Sequence, residues 1–291
     1  MSEPAVQPTT GERRGRAIAL IAAASIELSP RDPFAGDALR DLFAPRTTVF
    51  VSHPPSAAWG DIVAACVRLR RAGFEPVPHI AARRLDSIET AVDFLRRATD
   101  EADVGDVLLV GGDPDWPAGP FRDALTFLAT GLIECHCIEH VRFAGYPEGH
   151  KLISAGALDR ALDAKLALAK QRGLNASLMS QFAFEAGPIQ HWLSGLRARD
   201  VQCPVRVGIA GPASVMTLAK FAVRCGIGSS LRALARGHTA FARILTEAAP
   251  DALIDALVAG EAESGAIDGL HVFTFGGVRR TAEWRQAKLG L

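Results

Sequence analysis

Residues 107–115, Val107-Leu108-Leu109-Val110-Gly111-Gly112-Asp113-Pro114-Asp115, decide how the rest of the chain is read. Four consecutive apolar residues without alternation suit a strand buried on both faces, as in a parallel sheet. The Gly-Gly-Asp-Pro that follows is turn chemistry, which ends the strand and opens a connection. Stretches of helical period flank this unit, 86–100 before it and 118–130 after it. The same unit recurs in both directions. Apolar runs at 17–27, 47–52, 76–80, 138–144, 176–182, 205–209 and 270–275 alternate with helical stretches at 34–43, 56–72, 155–172, 186–198, 213–225 and 228–264. Eight apolar runs with helical segments after them predict an α/β chain folded as a single (β/α)8 TIM barrel. A doubly wound open sheet is the alternative, but no Pro/Gly/Ser-rich linker divides the chain and no glycine-rich dinucleotide fingerprint follows the first run.

The 291 residues carry 32 basic and 32 acidic side chains, a formal net charge of +0, with 48% hydrophobic residues. Such a balance offers no basic surface on which phosphate contacts could dominate, which argues against nucleic acid and for a small-molecule partner. Cys66, Cys135, Cys137, Cys203 and Cys225 are an odd, scattered set that fits a reducing cytoplasm better than a disulfide scaffold. Arg13, Arg14 and Arg16 before the apolar run 17–24 imitate a signal peptide, although a buried first strand explains the run equally well. No apolar stretch approaches the roughly 18–20 residues of a membrane span, so no membrane partner is expected. Residues 1–15 are expected to form a flexible tail and 16–291 the barrel. A homo-oligomer is compatible with the sequence.

In a barrel of this kind the loops after the C-terminal strand ends carry the chemistry. Those ends hold Glu27, Ser52-His53, His79, Gly111-Gly112-Asp113, Tyr146 to His150, Gln181, Gly208 to Gly211 and Gly276-Gly277. Glu27 closes a run of small apolar residues, and a carboxyl group beside such surfaces has its pKa raised, which suits a general acid. The plain alternative is a solvated loop glutamate. Asp113 follows two glycines that allow close backbone approach to a ligand, although Gly-Asp-Pro is also ordinary turn chemistry. His79 and His150 could each be a satisfied structural histidine, and gain weight from lying together at strand ends. Cys135-His136-Cys137-Ile138-Glu139-His140 holds zinc-type donors. It precedes the fifth strand on the stability face, lacks C-x2–4-C spacing, and is read as packing with no metal.

These strand-end residues resemble the methylenetetrahydrofolate reductase family over about residues 17–285. The most specific piece is Ala144-Gly145-Tyr146-Pro147-Glu148-Gly149-His150, followed by Asp163, Lys170 and Ser180-Gln181-Phe182-Ala183-Phe184. Ile26-Glu27-Leu28-Ser29-Pro30, 49–52, Pro78-His79, Gly112-Asp113-Pro114 and 273–279 agree in order. The resemblance implies a barrel in which NAD(P)H, more readily NADH, and FAD serve the interconversion of 5,10-methylene- and 5-methyltetrahydrofolate. It makes Glu27 the acid that protonates the bridging nitrogen. Asp113 would stabilise the resulting cation and serve as catalytic and folate-binding residue, while Gln181 and Arg279 would hold the pterin edge and glutamate tail. Ser52, His79, Gly112, Asp113, Tyr146, His150, Asp163 and Lys170 match flavin contacts. Three positions on the flavin side depart from the family: Gly111 stands for an arginine, and Leu166 and Ala169 stand for an asparagine and an arginine. Thr217 replaces a glutamine. Two routes follow, FAD held by other contacts or direct hydride transfer from NAD(P)H to folate. A non-redox folate-dependent one-carbon or methyl transferase and a folate-binding protein are the alternative readings.

Overall fold

In the computed structural model, which describes residues 9–227 and 247–291, eight parallel strands close into a barrel. They are β1 (Ser25–Leu28), β2 (Thr48–Val51), β3 (Glu75–Ala81), β4 (Asp106–Val110), β5 (His140–Gly145), β6 (Asn175–Ser180) and β7 (Val205–Ala210), completed by the last strand of the chain. Between these come β8 (Ala213–Ser214) and β9 (Glu247–Ala248), a small antiparallel pair outside the barrel. The eighth barrel strand, β10 (Gly269–Phe273), lies between β7 and β1 and closes the ring. Closure pairs Ser25 with His271, Ile26 with Val272 and Glu27 with Phe273. The predicted single TIM barrel is therefore present. Residues 1–8 of the expected tail and 228–246 of the expected helical stretch lie outside the described residues.

Side chains alternate between the two faces of each strand. Ile26, Leu28, Val49, Val51, Val107, Leu109, Val141 and Phe143 point outward into one large core shared with the helices. Phe50, Val77, Leu108 and Met179 point inward and form a separate cluster. The helices are α1 (Thr10–Ala22), α2 (Trp59–Arg71), α3 (Ile88–Ala102), the short α4 (Ala124–Leu128) and α5 (Leu132–Cys135), then α6 (Ala155–Gln171), α7 (Ala186–Ala198) and α8 (Val215–Cys225). After the undescribed stretch come α9 (Asp251–Ala259), α10 (Glu261–Ser264) and α11 (Val278–Leu289). Among the described residues no helix is long and apolar enough to cross a membrane.

Three elements differ from expectation. The run 17–27 is not one strand: α1 occupies 10–22 and begins within the stretch read as a flexible tail. Thr9 and Glu12 form a capping box at its start, and Ala17, Leu20, Ile21 and Ala24 are buried at helical spacing against α9 and α11. Arg285 caps the other end, donating to the carbonyls of Ile21 at 3.2 Å and Ala22 at 2.6 Å. The stretch 34–43 holds only a 3-10 turn at Asp37–Leu39, because Arg68 takes the carbonyls of Pro30 and Ala35 and fixes the chain as a loop. The stretch 118–130 yields only α4. Its early part is pressed against the β3–α3 connection so closely that a Cβ on Gly119 would lie 2.2 Å from the Asp86 carbonyl oxygen.

If α1 is part of the barrel's packing, Leu20→Ala opens a cavity between α1 and its partners. Urea unfolding is expected to show a loss of about 2–4 kcal/mol, against nearly none for truncation of a side chain in a loose tail.

Candidate active site

Glu27, the third residue of β1, turns inward at the C-terminal end of the barrel, with its side chain 19% exposed. Its Oε2 faces two imidazoles, His79 Nε2 of β3 at 3.4 Å and His271 Nε2 of β10 at 3.6 Å. Neither nitrogen makes a hydrogen bond. Burial raises the Glu27 pKa, and the His79 charge only partly opposes it. The histidines move the other way. His79 is lowered mainly by burial, while His271 is pushed down to about 3 by burial and by the positive charges of Arg206 and Arg142. Both imidazoles are therefore neutral near pH 7, while the carboxyl is biased toward its protonated form. Ser25 Oγ lies 3.0 Å from His271 Nδ1 and 3.3 Å from the Leu270 carbonyl oxygen. With the hydroxyl donating to that carbonyl and accepting from Nδ1–H, Nε2 is left as a bare acceptor toward Glu27.

An aromatic wall stands beside this acid. Phe221 and Phe275 stack at 4.0 Å, Phe273 lies parallel to Phe275 at 5.4 Å, and Phe182 meets both Phe273 and Phe275 edge-on. Gly208 makes room for it, since a Cβ there would lie 2.8 Å from a Phe273 ring carbon and 2.4 Å from the Ser180 carbonyl oxygen. Thr274 Oγ1 donates to the Glu27 carbonyl at 2.7 Å and ties the top of β10 to β1.

The other expected residues divide into two groups. At the mouth, Ser52 donates to the Leu28 carbonyl at 3.1 Å, and Gln181 accepts through Oε1 from the Phe182 N–H at 3.2 Å. Gly112 has φ +95°, a conformation that favours glycine. Asp113 is exposed at the rim, and its charge reaches Tyr146 and His150, whose rings meet edge-on at 5.3 Å. Burial, then Asp113, raises the Tyr146 pKa, while His150 is lowered by burial and Lys151. Arg279, at the start of α11, extends over the Phe34 ring at 5.6 Å.

Asp163 and Lys170 are not brought to this cluster. Asp163 pairs with Arg199, just past the C-terminus of α7, at 3.3 Å. Lys170 is exposed in the last turn of α6, whose connection leads to the N-terminal end of β6. Leu166 and Ala169 continue the stripe of Leu162 that packs on the barrel wall, and Ala169 is fully buried. Gly111 is different: it has open space where a Cβ would go and no positive φ, so glycine is not imposed there by the backbone. Among the described residues, Asp163 and Lys170 thus stand apart from the mouth, and Gly111, Leu166 and Ala169 supply no polar side chain, so these five do not fit a flavin diphosphate. Cys135 and Cys137 are exposed ahead of β5, where His136 Nδ1 meets the Leu132 carbonyl at 2.7 Å. A scan of the chain against protein-family profiles finds no match.

His271 and Ser25 were not singled out from the sequence. Their signal was alternation: Ser25 and Glu27 share one face of β1, as His271 and Phe273 share one face of β10. Closing the barrel makes these strands neighbours.

Two predictions follow from burial. A histidine with a lowered folded pKa contributes stability that is present above its unfolded value, near 6.5, and lost as pH falls. From pH 7 to 5 His271 alone is expected to cost about 2 kcal/mol, at about 1.4 kcal/mol per unit over about 1.5 units. His79 acts in the same direction, and Glu27, with a raised pKa, gives part of the loss back. Urea unfolding of His271→Gln at the two pH values should lose about 2 kcal/mol less than the parent chain. Separately, Ala169→Arg buries an unpaired guanidinium and is expected to cost at least about 3 kcal/mol, read as a lowered urea midpoint.

Proposed function

We propose that the protein is a methylenetetrahydrofolate reductase in which hydride passes directly between NAD(P)H and the folate, with NADH the expected nicotinamide. The observation that carries this reading is Glu27: a buried carboxyl biased toward its protonated form, at a strand end, beside neutral imidazoles and a flat aromatic wall. Such a group can hand a proton to a weakly basic ring nitrogen near neutral pH. The Phe221–Phe275–Phe273 stack offers a face on which a pteridine or nicotinamide ring can lie.

In this reading Glu27 protonates the bridging nitrogen of 5,10-methylenetetrahydrofolate. The carbon–nitrogen bond breaks with its electron pair going to that nitrogen, which leaves an iminium ion on the other. Hydride from the nicotinamide adds to the methylene carbon and gives 5-methyltetrahydrofolate and the oxidised nucleotide. The Glu27 carboxylate left behind lies 3.4 Å from His79 Nε2. Asp113 opposes the iminium charge across the mouth. Gln181 presents donor and acceptor to the pterin edge, and Arg279 is placed on the rim for the glutamate tail. Among the described residues no diphosphate cradle gathers around Gly111, Leu166 and Ala169, which supports the route without flavin. Both ring systems then occupy the mouth together, in a ternary complex.

The test is an absorbance spectrum of the purified protein, followed by NADH oxidation with methylenetetrahydrofolate with and without added FAD. A colourless protein with turnover unchanged by FAD, and intersecting initial-rate patterns, is expected. A flavin band with FAD-dependent turnover overturns the direct route, and no turnover in either direction overturns the reductase reading. Glu27→Gln should lower kcat by about 10²–10⁴-fold while leaving KM within a few-fold.

A further inference from the structure

Phe50 is the cross-strand partner of Glu27, and both turn into the barrel. It is fully buried. Its ring meets the His271 ring edge-on at 4.6 Å and 66°, and the His79 ring at 6.1 Å and 78°. One phenyl ring thus touches both imidazoles that converge on Glu27 Oε2. On Phe50 in turn lies the guanidinium of Arg142, 5.6 Å from the ring centroid. Arg142 is itself held by Asp106 through Nε at 2.9 Å and Nη2 at 2.5 Å. A column therefore runs up the inside of the barrel, from the Asp106–Arg142 pair through Phe50 to the two histidines and the carboxyl. Phe50 contributes no polar atom to this column.

His271 has a polar hold in Ser25 behind it, but neither Nε2 is fixed by a hydrogen bond. Their tilt is set by what they pack against. An edge-on contact is directional, because the ring's positive edge and negative face fix the mutual angle. The cation over Phe50 holds that ring in turn. We propose that Phe50, seated by Arg142, is the positioning residue that aims His79 and His271 at one oxygen of Glu27. The inference rests on Glu27 being the acid of the reading above, while the positioning itself is a property of the barrel interior that can be read without turnover.

The groups facing the two histidines are Glu27 from β1, His53 after β2, Arg142 from β5 and Arg206 from β7, besides each other. The test compares the parent chain with Phe50→Leu, using ¹³C-labelled histidine assigned by His79→Gln and His271→Gln. In the parent the His271 signal is expected to stay flat between about pH 5 and 8, and the His79 signal to titrate below the ordinary imidazole value. In Phe50→Leu both signals should move, and the His271 signal should titrate within that window. On the kinetic side, kcat should fall about 10–100-fold with KM within about twofold and the pH profile displaced, as misaimed proton-transfer groups produce. A variant that only loosened the fold would lower activity in proportion to folded protein with the profile unchanged. If Phe50→Leu loses near-ultraviolet circular dichroism, Phe50→Met, which fills the space without a ring edge or face and leaves every charge in place, is expected to shift the same two signals. Unmoved histidine signals in a folded variant overturn the positioning role. Moved signals in a protein whose parent never turns over methylenetetrahydrofolate uphold the positioning and remove the reductase reading instead.

Discussion

A carboxyl group held inside a closed barrel is the constraint on which the rest of the site depends. Water would solvate an ionised Glu27 well, whereas the barrel offers it two imidazoles and aromatic edges. Each pKa unit of displacement represents about 1.4 kcal/mol, so burying this carboxyl costs the fold stability wherever the group is ionised. The two histidines do not relieve the carboxyl by taking its proton, because burial disfavours their charged forms as well. For His271 the nearby Arg142 and Arg206 add to that effect. Burial therefore works against charge on all three groups, raising the carboxyl and lowering both imidazoles.

Closure of the barrel is what assembles this group. Glu27 and Ser25 come from β1 near the start of the chain, His271 from β10 near its end, and the β1–β10 register places them together. His79 arrives from β3 across the intervening β2, which contributes Phe50. Misregistering any one strand by a single residue would turn its inward side chain outward into the helix layer. The outward residues on the same strands, Ile26, Val49, Val51 and Val272, hold that register because they are buried against the helices. The outer core thus specifies the inner chemistry.

That division also governs what could be read in advance. Strands of a parallel barrel are buried on both sides and appear as apolar runs, which is why 107–110 and its counterparts were legible. The run 17–24 was not, because a short apolar stretch does not distinguish a strand from a buried helix, and the Thr9–Glu12 cap that distinguishes them lies before it. Strand-end residues such as Glu27, His79 and Tyr146 stood out because position alone marks them. His271, Ser25, Phe50 and Arg142 lie within strands, where a polar or bulky residue becomes meaningful only once the neighbouring strand is known. Asp163 and Lys170 show the converse. Sequence distance from a motif placed them with the site, but helical geometry puts Asp163 against Arg199 and carries Lys170 toward the far end of α6.

The inner face of α6 bears directly on how hydride could travel. A helix that uses Leu162, Leu166 and Ala169 to seal the barrel wall cannot present polar side chains from the same stripe to a diphosphate. Packing and cofactor holding compete for those positions, and here packing occupies them. At the mouth the resources are of another kind: a planar aromatic stack, a buried acid with a raised pKa and a rim carboxylate at Asp113. These suit two flat heterocycles lying against each other, one giving hydride while the other is made electrophilic by a proton. In such an arrangement the acid must act while both rings are bound. A carboxyl flanked by imidazoles that are themselves part of the barrel strands can stay aimed while the mouth fills.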